Sequence, residues 1–480
     1  MIKYGFQVIV LLLIVGCSSF DNSNSVEERA TNFVIIFADD LGYGDLGPYG
    51  HPTIHTPHLD KMANEGMKFT QFYVSAPVCT PSRAGLLTGR YAIRSGVADN
   101  TMSVFFPYSL GGLPRSEITI AEGLKQKDYA TAIFGKWHLG HRPDYLPTKQ
   151  GFDTYFGIPY SNDMSPPTVA FEPLKKLFPA MPLMEGEDII EEEPDQTQLT
   201  KRYAERAVRF IGEQKENPFF LYVPFAFPHI PLFASEQFRG RSKRGLYGDT
   251  VEEIDWAVGQ IMDALKTNGI DENTMVVFIS DNGPWLSKLQ EGGSSGLLRN
   301  GKGSTYEGGL RVPAIARYPG YIPEGTVSSS LASTLDLFPT LLSMAGADLP
   351  EDRIYDGMDM SIVLKDPAKS VRDEIIYYRG SQVRAIRKGS YKAHFITREK
   401  PYDRSSEVIQ HEKPLLYNID IDPSEQYDIS ADHPDILEML TLEAERHKRT
   451  IEPVENQLLK IEPDKAKALQ EIFAKYFKKE

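Results

Sequence analysis

Short apolar runs that stop abruptly at acids, amides, lysines or histidines recur along the chain. Residues 32–38 (NFVIIFA) are rich in β-branched and aromatic side chains, lack a helical period and end at Asp39-Asp40, which predicts a buried strand. Residues 275–280 (MVVFIS) end at Asp281-Asn282, before the turn signal Gly283-Pro284. Residues 129–134 (YATAIF) lead into Gly135-Lys136-Trp137-His138, and residues 219–227 (FFLYVPFAF) into Pro228-His229. Helical patterns lie between them: in residues 56–69 (TPHLDKMANEGMKF), Leu59, Met62 and Ala63 share one face and Gly66 stops the helix. Strands alternating with helices predict an α/β fold, a large and mostly parallel sheet sandwiched by helices. From about Asp373 the texture changes. Residues 373–396 alternate apolar and polar side chains, as antiparallel strands with one solvated face would; residues 415–430 fit another strand and turn, and residues 435–450 a surface helix. The acidic run 191–193 reads as a solvated surface loop.

Ligands of such sheets gather beyond the carboxyl ends of the strands, so the residues that end the four runs are expected to face one site. Asp39, Asp40, Asp281 and Asn282 offer oxygen ligands without a thiolate or histidine cluster, which favours a hard divalent cation, calcium or magnesium. Lys136, His138 and His229 offer anion binding and proton transfer. The formal net charge of −14 argues against nucleic acid and anionic membrane surfaces as partners, but not against a small anion held in a local basic pocket. The three histidines of residues 51–60 (HPTIHTPHLD) match no zinc spacing and read as a loop entering a helix.

Two cysteines in 480 residues exclude a disulfide framework. Lys3, the apolar run 8–16 and Cys17 have the form of an export signal, too short to span a bilayer comfortably. Residues 13–19 (LIVGCSS) resemble a bacterial lipobox, in which Cys17 is the lipidated first residue of the mature protein. The expected organisation is a signal peptide over 1–17 and a polar flexible tether over 18–30. Cys79 sits in residues 77–90 (PVCTPSRAGLLTGR), where Pro81 suits a first helical turn and Gly89 a stop. Its residue type fits a buried structural thiol, and its position at a helix start fits an anionic oxygen; local physics leaves both open.

Residues 77–89 resemble the first signature of the formylglycine-dependent type I sulfatases, in the alkaline phosphatase superfamily, at every position. Residues 128–138 (DYATAIFGKWH) are similar to the second, with departures at Asp128 and Phe134. The likeness extends through IIFADDLGYGDLGPYG, PFAFPHIP, VVFISDNG and GKGSTYEGGLRVP over residues 32–480, and is nearest the arylsulfatase A-like branch. The resemblance implies that maturation machinery oxidises Cys79 to Cα-formylglycine, whose aldehyde hydrate is the nucleophile. It implies a calcium ion on Asp39, Asp40, Asp281, Asn282 and an oxygen of the modified residue 79. Arg83 would orient the hydrate; Lys136, Lys302 and His229 would surround the sulfate; His229 or Lys302 would protonate the leaving oxygen. His138 would then take a proton from the second hydroxyl, expelling sulfate and restoring the aldehyde. Residues 160–167 (YSNDMSPP) are similar to family loops bordering the substrate entrance, which makes Asn162 and Asp163 candidates for substrate-binding contacts with a sugar. A catalytic domain over 31–370 and a smaller α+β subdomain with an antiparallel sheet over 371–480 follow from the same likeness.

The expectation is therefore an exported, membrane-anchored lipoprotein of the periplasm or outer membrane that hydrolyses sulfate esters, with a sulfated glycan as substrate. The rivals are a phosphodiesterase or phosphonate hydrolase of the same superfamily, and a glycan-binding lipoprotein that retains sulfate without cleaving it.

Overall fold

A computed structural model describes residues 1–2, 29–169, 171–403 and 405–476; Cys17 and the predicted tether up to residue 28 lie outside the described residues. The four apolar runs lie side by side in one sheet of eleven strands. The strand Asn32–Ala38 runs parallel to Phe219–Pro224 on one edge and to Thr274–Ser280 on the other, and Ala130–Phe134 pairs in parallel beyond Phe219–Pro224. Every residue of Asn32–Ala38 and Thr274–Ser280 is buried. Strands covered on both faces have no reason to alternate in polarity, which is why they read as continuous apolar runs.

Side-chain alternation divides the core into two layers. Phe33, Ile35 and Phe37 pack with the helices Cys79–Thr88 and Leu337–Met344 on one face; Val34, Ile36 and Ala38 pack with Leu199–Glu213 and Leu246–Thr267 on the other. The run 219–227 ends as a strand at Pro224, a residue without an N–H for the ladder, although the Phe225 N–H still donates to the Phe37 carbonyl. The sheet is also more mixed than the apolar runs suggest. Arg311–Arg317 lies antiparallel between Thr274–Ser280 and Met67–Tyr73, and the hairpin Pro182–Glu185 with Asp188–Glu192 closes the opposite edge. Glu191 and Glu192, expected in a surface loop, thus belong to a solvated edge strand, where charged side chains discourage pairing with another chain.

Residues 374–418 form the separate antiparallel sheet, with strands Glu374–Arg379, Gln382–Lys388, Tyr391–Thr397 and Ile409–Asn418 in chain order. The helix Pro434–Lys448 buries Leu437, Leu440 and Ala444 against it. A buried charge network joins this sheet to the large one. Glu307 accepts hydrogen bonds from the hydroxyls of Tyr73 (2.6 Å) and Tyr377 (2.7 Å) and from Lys392 Nζ (3.0 Å). Lys392 also pairs with Glu425 at 2.8 Å, and Glu425 accepts the backbone N–H of Glu307 at 2.6 Å. His394 Nε2 lies 2.6 Å from the same carboxylate. Burial pushes the Glu307 carboxyl up, but the charges of Lys392, Arg387 and Arg311 overcome it and hold the group far below the usual range.

Lys392→Met is expected to leave Glu307 and Glu425 facing each other without their shared cation, at a cost of about 3–5 kcal/mol. Urea unfolding followed by fluorescence checks this; a midpoint equal to that of the unchanged protein would contradict the assignment.

Candidate active site

Register places the acids. Ala38 pairs with Ser280, so Asp39-Asp40 and Asp281-Asn282 leave adjacent parallel strands at one level, and the Asp40 N–H donates to Asp281 Oδ1 at 3.1 Å. Asp40 itself turns with φ 63°, a left-handed conformation that Asp tolerates better than most side chains. Facing them is the helix Cys79–Thr88, preceded by extended Val78 and closed by Gly89 at φ 67°. All ten of its residues are buried, and a Cβ on Gly85 would come within 2.1 Å of Ser75 Oγ, so the helix start is fixed closely against the sheet.

Cys79 therefore projects into the acids. Its thiol donates to Asp39 Oδ1 at 3.4 Å, and Lys302 Nζ donates to its sulfur at 3.6 Å. One helical turn on, Arg83 donates Nε and Nη2 to Asp281 Oδ2 (3.1 and 2.9 Å) and Nη1 to the Lys136 carbonyl (2.8 Å). Lys136 Nζ contacts Asp39 Oδ2 and donates to Ser161 Oγ at 3.1 Å. Lys302 Nζ lies 2.7 Å from Asp40 Oδ1, and His229 Nε2 lies 3.7 Å from Asp40 Oδ2. The structure thus brings together Asp39, Asp40, Cys79, Arg83, Lys136, His229, Asp281, Asn282 and Lys302.

His138 approaches from the same strand end as Lys136. Its Nε2 meets the Phe105 carbonyl at 3.0 Å, so Nε2 carries the hydrogen and Nδ1, buried without a partner, keeps its lone pair. Its carbonyl accepts from Thr80 Oγ1 at 2.9 Å, tying it to the residue after Cys79. Burial, reinforced by Lys136 and Arg83, holds this imidazole well below the ordinary histidine range and keeps it neutral.

The other ionisable groups respond to one another. Burial pushes Asp39 up, but Lys136, His229, Arg83 and Lys302 overcome it and hold the carboxyl well below its usual range. Asp281 goes the other way, to about 7, through burial and the charge of Asp39. Burial, with Asp281 and Asp39, drives the Cys79 thiol well above its usual range, so the thiol as it stands is a poor nucleophile.

Oxygens of Asp39, Asp40 and Asp281 and the sulfur of Cys79 all lie within 4.8 Å of one another. Asn282 donates Nδ2 to Asp40 Oδ1 (2.7 Å) and the Gly283 carbonyl (2.9 Å), while its Oδ1 is buried with no partner. Three carboxylates and an orphaned amide oxygen are a donor set suited to a hard divalent cation.

Three features escaped the sequence reading. Ser161 holds Lys136, and the Trp285 ring lies 4.6 Å from Lys302 Nζ and 5.5 Å from the His229 ring. Phe105 supplies the carbonyl that sets the His138 tautomer. Ser161 and Trp285 do stand beside legible motifs, in YSND and directly after DNGP; Phe105 carries no sequence signal because only its backbone acts. Asn162 is fully buried and donates both N–H contacts to Gln196 and the Pro231 carbonyl at 3.1 Å, so its amide fastens the loop; Asp163 is half-buried and within electrostatic reach of His229.

A cysteine at a helix start, ringed by buried cations and converging carboxylates above a helix-covered sheet, defines a sulfuric ester hydrolase once the relatives are set beside it. The chain belongs to the sulfatase family: the family profile "Sulfatase" matches residues 31–347, and "C-terminal region of aryl-sulfatase" matches residues 370–478. It is 43% identical to arylsulfatase A of Homo sapiens over 444 residues, 86% of either chain. It is 40% identical to N-acetylgalactosamine-6-sulfatase of Rattus norvegicus over 464 residues, 89% of this chain and 87% of that one. Among solved structures, the PsFucS1 sulfatase from Pseudoalteromonas sp. superposes with a TM-score of 0.81 at 28% identity, covering 90% of this chain and 92% of that one. Ps i-CgsB in complex with k-i-k-neocarrahexaose gives 0.75 at 30% identity, covering 94% and 99%.

Calcium added to metal-stripped protein is expected to raise its thermal midpoint, with about 2.7 kcal/mol of stabilisation at a concentration 100 times the dissociation constant. Asp281→Asn and Asn282→Ala should each diminish that gain. Differential scanning calorimetry reads both; a midpoint indifferent to calcium would count against the donor set.

Proposed function

We propose that the protein hydrolyses sulfate esters of a glycan, using residue 79 after its conversion to formylglycine and a calcium ion held by Asp39, Asp40, Asp281 and Asn282. The observation that carries this reading is the placement of Cys79 Sγ 3.4 Å from Asp39 and 3.6 Å from Lys302 Nζ. A group with so strong a preference for the protonated thiol gains little as a thiolate, whereas an oxygen substituent there meets both the acids' metal site and the lysine. When bound, the cation would polarise the sulfate and lower the cost of a negative oxygen on residue 79.

The chain's own groups account for the remaining work. Arg83 cannot leave Asp281 without stranding a buried charge, so its guanidinium stays within electrostatic reach of residue 79, where it would orient the hydrate. Lys136, Lys302 and His229 present N–H groups where sulfate oxygens would lie, in a pocket dry enough to strengthen each contact. Proton delivery to the leaving oxygen falls to His229 or Lys302. The free Nδ1 of neutral His138 is available to accept the proton released from residue 79 as sulfate departs. Glycans enter through the relatives: N-acetylgalactosamine-6-sulfatase is named for a sulfated sugar, and Ps i-CgsB was solved with an oligosaccharide. The export signal and lipobox around Cys17 support a membrane-anchored, periplasmic or outer-membrane location.

Cys79→Ala is expected to fold and to lose at least about 1,000-fold in kcat on an aryl sulfate. Peptide mass spectrometry of active protein should find an aldehyde at position 79; an active preparation that keeps its thiol there would overturn the mechanism. Sulfate esters should be turned over faster than matched phosphate mono- and diesters by one preparation. Faster phosphoryl transfer would instead favour the phosphodiesterase reading, and tight sulfate retention without release would favour a binding protein.

A further inference from the structure

Buried and half-buried arginines in this protein generally meet a carboxylate. Arg83 pairs with Asp281, Arg94 with Asp356, Arg317 with Asp271, Arg372 with Asp336 and Arg387 with Asp420. Three arginines of the C-terminal sheet do not. Arg379 ends the strand Glu374–Arg379, Arg384 lies near the start of Gln382–Lys388, and Arg398 directly follows Tyr391–Thr397, so antiparallel pairing brings all three to one end of the sheet. Among the described residues none of them has a carboxylate oxygen within 4.0 Å; each is instead held by neutral groups. Arg379 donates Nε to the Gly303 carbonyl (3.1 Å) and Nη2 to Ser103 Oγ (3.0 Å); Arg398 donates to the carbonyls of Ser406 (3.1 Å) and Asp403 (2.8 Å). Arg384 donates Nη2 to Gln382 Oε1 at 3.2 Å, while its Nε is buried with no partner.

This group is built rather than incidental. Pairing skips Arg384: Tyr377 opposes Ala385 and Tyr378 opposes Val383, so Arg384 is the extra residue of a bulge, a device that redirects a side chain. Burial and the charges of Arg379 and Arg398 push its guanidinium down to about 10, the sign of like charges held together without compensation. The group also adjoins the reaction centre. Gly303, which Arg379 holds, follows Lys302, and a Cβ on Gly303 would meet Pro401 and Tyr402 at 3.0 Å. Tyr402 is 39% exposed, packs on Trp285 with ring centroids 5.0 Å apart, and lies within electrostatic reach of Lys302, Arg379, Asp40 and Cys79. A cavity of about 380 Å³ runs between Lys302, Trp285 and Tyr402.

We infer that Arg379, Arg384 and Arg398 form a second oxyanion subsite, which takes another sulfate or a carboxylate carried by the same glycan as the scissile sulfate. This rests on the glycan reading above. Planar guanidinium groups lacking a protein carboxylate suit either oxyanion, and a neighbouring sugar at the Tyr402 rim would place one there.

The test compares kcat/KM for three oligosaccharides of one backbone: monosulfated and otherwise neutral, disulfated, and monosulfated beside a uronate. The unchanged protein is expected to prefer one or both doubly anionic substrates by about 10-fold or more, and Arg384→Gln and Arg398→Gln to shrink that preference about 5-fold or more, mainly through KM. Arg384→Lys should restore part of it. Preference for the disulfated chain alone identifies sulfate as the occupant, and for the uronate alone, carboxylate. No preference, or one that survives both Gln substitutions, overturns the subsite while leaving sulfatase activity intact. Should no oligosaccharide be hydrolysed, calorimetric titration of Cys79→Ala with the disulfated chain still decides: weaker binding on adding Arg384→Gln supports the subsite, and unchanged or absent binding overturns it.

Discussion

Charge compensation inside a dry sheet edge is the constraint on which the rest of the site depends. Asp39, Asp40 and Asp281 are all but inaccessible to water, and two unit charges about 4 Å apart interact by roughly 4 kcal/mol even at an effective dielectric of 20. Three such carboxylates cannot stay ionised on the ends of adjacent strands unless cations are built in with them. Arg83, Lys136 and Lys302 are those cations, drawn from a helix, a neighbouring strand end and a loop. Compensation is uneven: Asp39 meets both Arg83 and Lys136 and is held charged, whereas Asp281 shares Arg83 and rises to about 7. The deficit sits at the acids a divalent cation would share, so the same arrangement that threatens the fold creates the donor set on which the proposed metal would sit.

Position follows from two kinds of element. The acids and His138 are set by strand register, which can hardly move without displacing the core on both faces. Lys302 has no such support, since it lies between elements, in a glycine-rich loop. Its place is secured from the other side, where Glu307 is tied to Tyr73 of the large sheet and to Tyr377 and Lys392 of the small one. The C-terminal sheet therefore supports the site without entering it. It fixes the loop that carries Lys302.

The central strands were legible in the sequence because full burial imposes a run of apolar residues and a fixed stopping point, and the chemistry resides at those stops. The start of the Cys79 helix was marked by Pro81 and its end by Gly89, although its complete burial removes any amphipathic period. The antiparallel flanks were harder. The edge hairpin ending at Glu192 is short and solvated, and Arg311–Arg317 carries Pro313 within a strand, so neither presents a distinct pattern. What could not be read was side-chain partnership across long separations. Phe105 contributes a backbone carbonyl, which no residue type encodes, and the unpaired state of Arg384 depends on a bulge between strands whose register only the folded sheet fixes.

The division between the sheets separates two demands that would otherwise conflict. Groups around residue 79 are locked in mutual ion pairs, so replacing any one of them exposes a buried charge and disturbs the rest. Arg379, Arg384 and Arg398 hold no ion pair on which the core relies, and they lie at the end of a sheet whose helix-covered face is apolar, formed by Ile376, Ile386, Ala393 and Leu416. Their exchange for neutral side chains removes positive charge that burial and mutual repulsion already oppose. On the proposed reading, reaction chemistry is confined to the element that cannot change and recognition of the wider substrate to one that can, with the Glu307 network keeping the two in register.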